Sequence, residues 1–359
     1  MIVKSCSQII KNSLEQTIEV CSDLLCPNPV VSVVVLTFNH EPYIREALDS
    51  ILAQECDFEL IIGDDCSTDG TIDILKEYQK RFPDRIKLLL SRSNLYTRHG
   101  TLWANFLRIL LASRAPYIAL LEGDDYWTDP LKLKKQYEVL SVHPDAICCH
   151  HWHTIVREKG IGGEGTPQYG DGYSPARISS VDEILCGRMR VKTRTAMYRN
   201  RPDLFNNMPA WVFEVFACDV PLSMIMGRLG DFVFLDESMA VYRITDRGFS
   251  WSGVRKPLPE IIKREFQWVQ MWDCGVKHND YRSANAASKV TVGFYRRILV
   301  KSKLLDFGIL YRILMHRFRS GVSFSKYGAL VFLRLGSVWL GTVLQRLTRR
   351  ISPIAKTRK

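Results

Sequence analysis

At 359 residues, with 46% hydrophobic and 24% charged side chains, the chain has room for a catalytic domain plus an appendage, and it departs from both disordered and polytopic membrane compositions. The net charge of +11 invites a nucleic-acid reading, but it is carried by one end: Tyr281 to Lys359 hold 17 Lys and Arg against one acid, Asp306, whereas residues 1–280 are net acidic. Ten cysteines without a C-x-x-C pair, and no recognisable secretory signal, point to reduced thiols in a cytoplasm.

Residues 1–29 read as a polar, weakly helical leader ending at Pro27 and Pro29, with no chemistry assigned. Val30 to Thr37 is a β-branched run suited to a strand buried on both faces. Ile44, Ala47, Leu48 and Ile51 recur at helical spacing within Tyr43–Gln54, and Phe58–Gly63 is a second buried strand. Asp69 is placed to cap a helix through Ile72, Leu75 and Tyr78. Ile86–Leu90 is a third strand, Leu102–Leu111 a third helix and Tyr117–Leu121 a fourth strand. This alternation predicts an α/β fold, a mostly parallel central sheet with helices on both faces and ligand sites at the carboxyl ends of its strands. Two acidic groups fall at such ends, Asp64-Asp65 and Glu122-Gly123-Asp124-Asp125. Farther on come a helix over Pro130–Leu140, a strand over Ala146–His150, a glycine-rich loop over Gly160–Gly172, short strands at Phe232–Leu235 and Met239–Ile244, and a mainly helical region from about Leu258.

Glu122, Asp124 and Asp125 are hard oxygen donors of the kind that hold Mg²⁺ or Mn²⁺. Acids in a strand-to-helix turn can also simply cap a helix, but three carboxylates exceed what a cap requires, and a divalent ion would relieve their repulsion. Asp64 and Asp65 can accept hydrogen bonds from a nucleotide base or ribose at the same sheet edge. His150, His151 and His153 alternate along a strand, so at most two share a face; structural roles fit them better than zinc. Trp211 and Trp251 could stack on a sugar, yet most tryptophans are packing residues.

Three segments, VSVVVLTFNHEPYIREALDSILAQ, IIGDDCSTDGT and YIALLEGDDYWTDPLKLKKQ, in this order, resemble family 2 glycosyltransferases, nucleotide-diphospho-sugar transferases of the GT-A fold. The resemblance covers roughly residues 30 to 250. It implies that Thr37, Asn39 and Glu41 contact the donor, that Asp65 recognises the base with Asp64 beside it, and that Asn105 faces the donor. Asp124 then matches the principal metal ligand, supported by Asp125, while Glu122 stands where many members carry the first Asp of the D-x-D motif. Asp219, in FEVFACDVPLSMIMGRLGDFVFLDESMAVYRIT, matches the catalytic base, with Glu214 and Asp236 as fallbacks; taken alone it would read as a helix cap before Val220-Pro221. Thr245 stands where similar enzymes often carry a His, followed by Asp246 and Arg247.

The expected organisation is a leader over 1–29, a GT-A glycosyltransferase domain over 30–255 and a basic, mainly helical C-terminal region over 256–359. Tyr327 to Leu344 is interrupted by Arg334, so a peripheral contact with the cytoplasmic face of a membrane fits this tail better than a spanning helix, and an ordinary helical subdomain fits nearly as well. The resemblance implies metal-dependent, inverting transfer from a UDP-sugar to a hydroxyl of a glycan or lipid-linked glycan, in cell-surface polysaccharide synthesis, with no nucleic acid as partner. Two rivals are a non-catalytic sugar-binding paralogue and a nucleotidyltransferase of similar fold; the latter would carry a glycine-rich, lysine-bearing loop where this chain has TFNHEPY.

Overall fold

The computed structural model describes residues 6–157, 176–245 and 257–301, together with Ile313. The Gly160–Gly172 loop, Asp246, Arg247, Trp251 and, apart from Ile313, the tail over Leu304–Leu347 lie outside the described residues. The chain divides into two compact units, with the main boundary at 254/255 and residues 185–187 grouped with the second.

The first unit opens with helix α1 (Cys6–Glu15) and a four-residue strand, β1 (Thr17–Val20). The alternating stretch follows: β2 (Val31–Thr37), α2 (Ile44–Leu52), β3 (Phe58–Asp64), α3 (Thr71–Arg81), β4 (Ile86–Ser91), the short α4 (Leu95–His99), α5 (Trp103–Ala112) and β5 (Tyr117–Glu122). Strand β2 pairs in parallel with β3 and β5, and β3 with β4. All of β3 is buried, and all of β2 except Leu36 is too, so both sheet faces are covered. On one face Val31, Val33 and Val35 pack with Ile44, Leu48, Ile51 and Leu75 from α2 and α3. On the other, α5 approaches so closely at Gly63 that a Cβ there would lie 2.5 Å from Ile109 Cγ2.

The remaining elements of this unit are β6 (Tyr126–Trp127), α6 (Lys132–Val142), β7 (Ala146–Arg157), β8 (Ile178–Ser179), α7 (Val181–Leu185), β9 (Met197–Arg199), α8 (Pro202–Phe205), α9 (Asp219–Met226) and β10 (Asp231–Ile244). They extend one sheet of order β1-β4-β3-β2-β5-β9-β7-β10-β6, with β8 beside β10. Two features differ from the sequence reading. The segment before residue 30 is part of the sheet, because β1 pairs antiparallel with β4, Thr17 opposite Ser91. The two short strands near the end are one strand, β10, whose exposed Asp236-Glu237-Ser238 bulges where its register against β7 shifts.

The second unit contains α10 (Leu258–His278) and α11 (Ala284–Lys301). Trp268 stacks on Phe294 with centroids 5.7 Å apart, and Arg297 Nε donates to the buried Glu265 carboxylate at 2.9 Å. Among the described residues no helix is long and apolar enough to cross a membrane.

Candidate active site

Strand β5 ends by delivering Glu122 to a turn with little room for a side chain at Gly123. The Gly123 amide donates to Leu36 O at 2.9 Å, and a Cβ on it would sit 2.8 Å from His40 Nδ1 and 2.9 Å from Ile44 Cδ1. The three acids of this turn then have different surroundings. Asp125 is 1% exposed, and both its oxygens are taken: Oδ2 accepts from Arg194 Nε at 2.6 Å and Oδ1 from the Arg243 backbone amide at 2.8 Å. Glu122 Oε2 is buried and accepts no hydrogen bond; Arg194 NH2 stands 3.7 Å away. Asp124 has its carboxylate partly open, with His40 Nε2 at 4.0 Å. Burial raises the Glu122 carboxyl to about 8 against the pull of Arg194, with Asp125, Asp124 and Asp219 adding to the rise.

Two arginines fix this turn. Arg194, in a 3-10 turn over Thr193–Thr195, lays its guanidinium 3.9 Å from the Tyr242 ring centroid. Arg243, from β10, donates to Asp124 O at 3.0 Å, pairs with Glu46 and lies near the rings of Tyr43 and Tyr126. Arg194 carries no local sequence signal and meets Asp125 across 69 residues of chain.

The loops after β2 and β3 form a framework held by the residues that the sequence marked. Asn39 adopts a left-handed φ of 56°, and its Oδ1 accepts from Thr68 N at 2.8 Å. Glu41 accepts from Gly70 N at 2.9 Å, and Asp69 from Thr71 N at 3.0 Å at the start of α3. Asp64 accepts from Ser67 N at 2.9 Å; Asp65 accepts from Leu95 N at 2.6 Å and Tyr96 N at 3.1 Å, and so caps α4. Asn105 donates to Gly63 O at 3.0 Å and accepts from Arg108 Nε at 2.8 Å. Arg108, 1% exposed, also donates to Asp64 O and to Thr17 Oγ1, which ties α5 to the edge strand β1. Of this group Thr37 alone keeps a buried polar atom, Oγ1, with no hydrogen-bond partner.

Asp219 is the first residue of α9, half-buried, with Oδ1 accepting from Val220 N at 2.8 Å. Its charge raises the Glu122 carboxyl and supports the Lys192 ammonium, so it lies in the neighbourhood of the acid turn. The fallback residues stand differently: Glu214 is exposed, and Asp236 sits in the β10 bulge, accepting from Trp152 Nε1. Thr245 is 2% exposed at the end of β10. His150, His151 and His153 are all buried, and burial holds His150 and His153 near 3, uncharged. The charges of Arg194 and Lys192 add to the fall at His153. Trp211 is partly buried in a 3-10 turn over Ala210–Glu214. Among the described residues no three His, Cys, Asp or Glu are grouped to hold a metal by themselves.

Comparison with known proteins covers the strand ends just described. The family model described as glycosyl transferase family 2 matches residues 32–186. The chain is 40% identical over 215 residues to the protein Rv1520 of Mycobacterium tuberculosis, a match spanning 59% of this chain and 58% of that relative. Among solved structures, residues 1–349 of Staphylococcus aureus TarS in complex with UDP-GlcNAc give a TM-score of 0.53 at 20% identity over 75% of this chain and 72% of that one. The mannosyltransferase PcManGT of Pyrobaculum calidifontis, in complex with GDP-Man and Mn²⁺, gives 0.52 at 16% identity over 94% and 92%. At these identities the structures speak for the GT-A fold alone. The match in sequence goes further, and residues 32–186 fit the glycosyl transferase family 2 model.

Proposed function

We propose that this chain transfers a sugar from a nucleotide diphosphate donor, a UDP-sugar, to a hydroxyl of a glycan or lipid-linked glycan in the building of cell-surface polysaccharide, with Mg²⁺ or Mn²⁺ and with inversion at the anomeric carbon. The observation that carries this reading is the nearness of two carboxylates not committed to hydrogen bonds, Glu122 with its buried, unpartnered Oε2 and the partly exposed Asp124, to a further carboxylate, Asp219, held at a helix start. The donor set suits a hard divalent ion that keeps phosphate and water ligands: Asp124 and Glu122 would hold it, while Asp125 is committed to Arg194 and Arg243. When bound, the ion offsets the charge that develops on the leaving diphosphate.

The other residues then act through shape and proton transfer. Thr37 Oγ1 is free to meet the donor, whereas Asn39, Glu41, Asp64, Asp65 and Asn105 keep the strand-end loops in the form that receives it. Asp219 takes the proton of the acceptor hydroxyl as that oxygen bonds to the anomeric carbon and the bond to the leaving phosphate oxygen breaks. Attack from the side opposite the nucleotide inverts the configuration. UDP in complex with TarS and Mn²⁺ in complex with PcManGT support the choice of donor and ion.

The test is nucleotide release from UDP-GlcNAc, UDP-glucose and GDP-mannose with Mn²⁺. Asp219→Asn should slow release by roughly 10²- to 10⁴-fold while donor affinity is kept. Undiminished turnover in that variant removes Asp219 from the mechanism. A wild-type chain that binds donor but never releases nucleotide is the sugar-binding paralogue instead.

A further inference from the structure

Lys132 is the first residue of α6 and is 0% exposed. A cation is costly at that position twice over, since burial strips its water and the start of a helix is the positive end of the helix dipole. Among the described residues its ammonium makes one hydrogen bond and one ring contact: Nζ donates to Gln136 Oε1 at 2.8 Å and lies 3.9 Å from the Trp127 ring centroid. Both partners reach the same short turn. Trp127 Nε1 donates to Arg194 O at 3.0 Å, and Gln136 Nε2 donates to Thr195 O at 2.9 Å and to Cys149 O at 2.8 Å. An ammonium can only donate, so by occupying Gln136 Oε1 it leaves the amide nitrogen for those two carbonyls. Trp127 follows Asp125 by two residues and Arg194 is the partner of Asp125, so both sides of that buried pair are fastened by side chains that Lys132 holds.

We propose that Lys132 is a positioning residue for the cation site: through Trp127 and Gln136 it sets the 193–195 turn, and through Arg194 it holds the acid turn that carries Asp124 and Glu122. This rests on the reading of those two acids as ligands of a divalent ion. Each link is short and buried. Arg194 Nε donates to Asp125 Oδ2 at 2.6 Å while its NH2 stands 3.7 Å from Glu122 Oε2, so a displaced 193–195 turn disturbs two of the three acids at once. Methionine, unbranched like lysine, would fill the space beside Trp127 but could not hold the Gln136 amide. The relay and the bare charge of Lys132 act on a cation with opposite sign. Removing a positive charge from the protein favours a bound cation, whereas loosening the support of its ligands weakens it.

The test uses the full chain and calorimetry, with Mn²⁺ titrated at saturating UDP and UDP titrated into the metal-free chain. Lys132→Met should weaken Mn²⁺ binding by about tenfold, while metal-free UDP affinity stays within about twofold. A merely structural role would lower the melting midpoint and leave both affinities of the folded chain alone. Trp127→Phe keeps a ring beside Lys132 and deletes the donor to Arg194 O, so it should weaken Mn²⁺ in the same direction, and it carries the test if Lys132→Met does not fold. Adding Lys132→Met to Arg194→Lys should cost little Mn²⁺ affinity beyond Arg194→Lys alone, as expected when one residue acts through the other. Unchanged or tightened Mn²⁺ binding in Lys132→Met, or in Trp127→Phe where the former is unfolded, overturns the proposal, and so does full additivity in the double variant. Should wild type bind no Mn²⁺, the cation reading itself falls, and the melting midpoints still decide the relay: shifts of Lys132→Met and Arg194→Lys that fall short of their sum in the double variant keep it, and additive shifts remove it.

Discussion

Asp124 and Asp125 are adjacent in sequence and alike in chemistry, and the structure separates them. Asp125 faces inward to Arg194 and the Arg243 amide, a buried pair whose halves are 1% and 8% exposed at the side chain. Asp124 stays partly exposed, with one distant histidine. Substitution should therefore act on different properties. Asp125→Ala strands a buried guanidinium and should lower stability by roughly 3 kcal/mol or more, visible in a denaturant melt. Asp124→Ala should leave the melt nearly unchanged and abolish Mn²⁺-dependent nucleotide release; the reverse pattern would exchange their roles. The sequence made the acid turn legible but not this division, because the partner that consumes Asp125 is an arginine in an unremarkable run, GRMRVKTRT, brought in by tertiary contact. Asp65 shows the same limit: its place at a strand end was readable, while its capping of α4 depends on a five-residue helix with no periodic signal of its own.

At the scale of elements, the parallel strands were legible because burial on both faces writes itself as a continuous apolar run, as in β2 and β3. Strand β1 was not, since TIEV is short, half-exposed and paired at an edge with a distant strand. The turn from β5 depends on Gly123, and Gly123→Ala should cost about 1–3 kcal/mol as His40 and Ile44 give way, read as a lowered melting midpoint. Strand β7 makes a second prediction. An unfolded histidine binds a proton below about pH 6.5, whereas His150 and His153, kept neutral by burial, hold off until near 3. The unfolded chain thus binds more protons than the native one in that window, and stability falls as pH drops from about 6.5, by about 1.4 kcal/mol per pH unit for each such histidine. Replacing His150, which packs 5.3 Å from the Phe234 ring, with Phe should remove one histidine's share of that slope in melts between about pH 7 and pH 5. A slope identical to wild type would mean that His150 does not resist protonation.

At the scale of the whole molecule, the charge is as uneven as the fold. Residues 302–359 hold 12 of the 49 Lys and Arg against the single acid Asp306, interleaved with apolar runs that Arg334 interrupts. A segment of this composition can lie on an anionic bilayer, each basic residue near the surface contributing about 1 kcal/mol, while the arginine disfavours burial at the bilayer centre. Surface attraction of this kind is screened by salt, because the Debye length shrinks to about 3 Å at 1 M. The full chain should therefore sediment with vesicles containing phosphatidylserine at low ionic strength, be released as salt rises, and stay in the supernatant with neutral phosphatidylcholine vesicles. A chain ending at Lys301 should remain in the supernatant under all three conditions. Equal sedimentation of the two chains would place the attraction before residue 302, and binding to neutral vesicles that survives high salt would mean that apolar insertion, not charge, anchors the molecule.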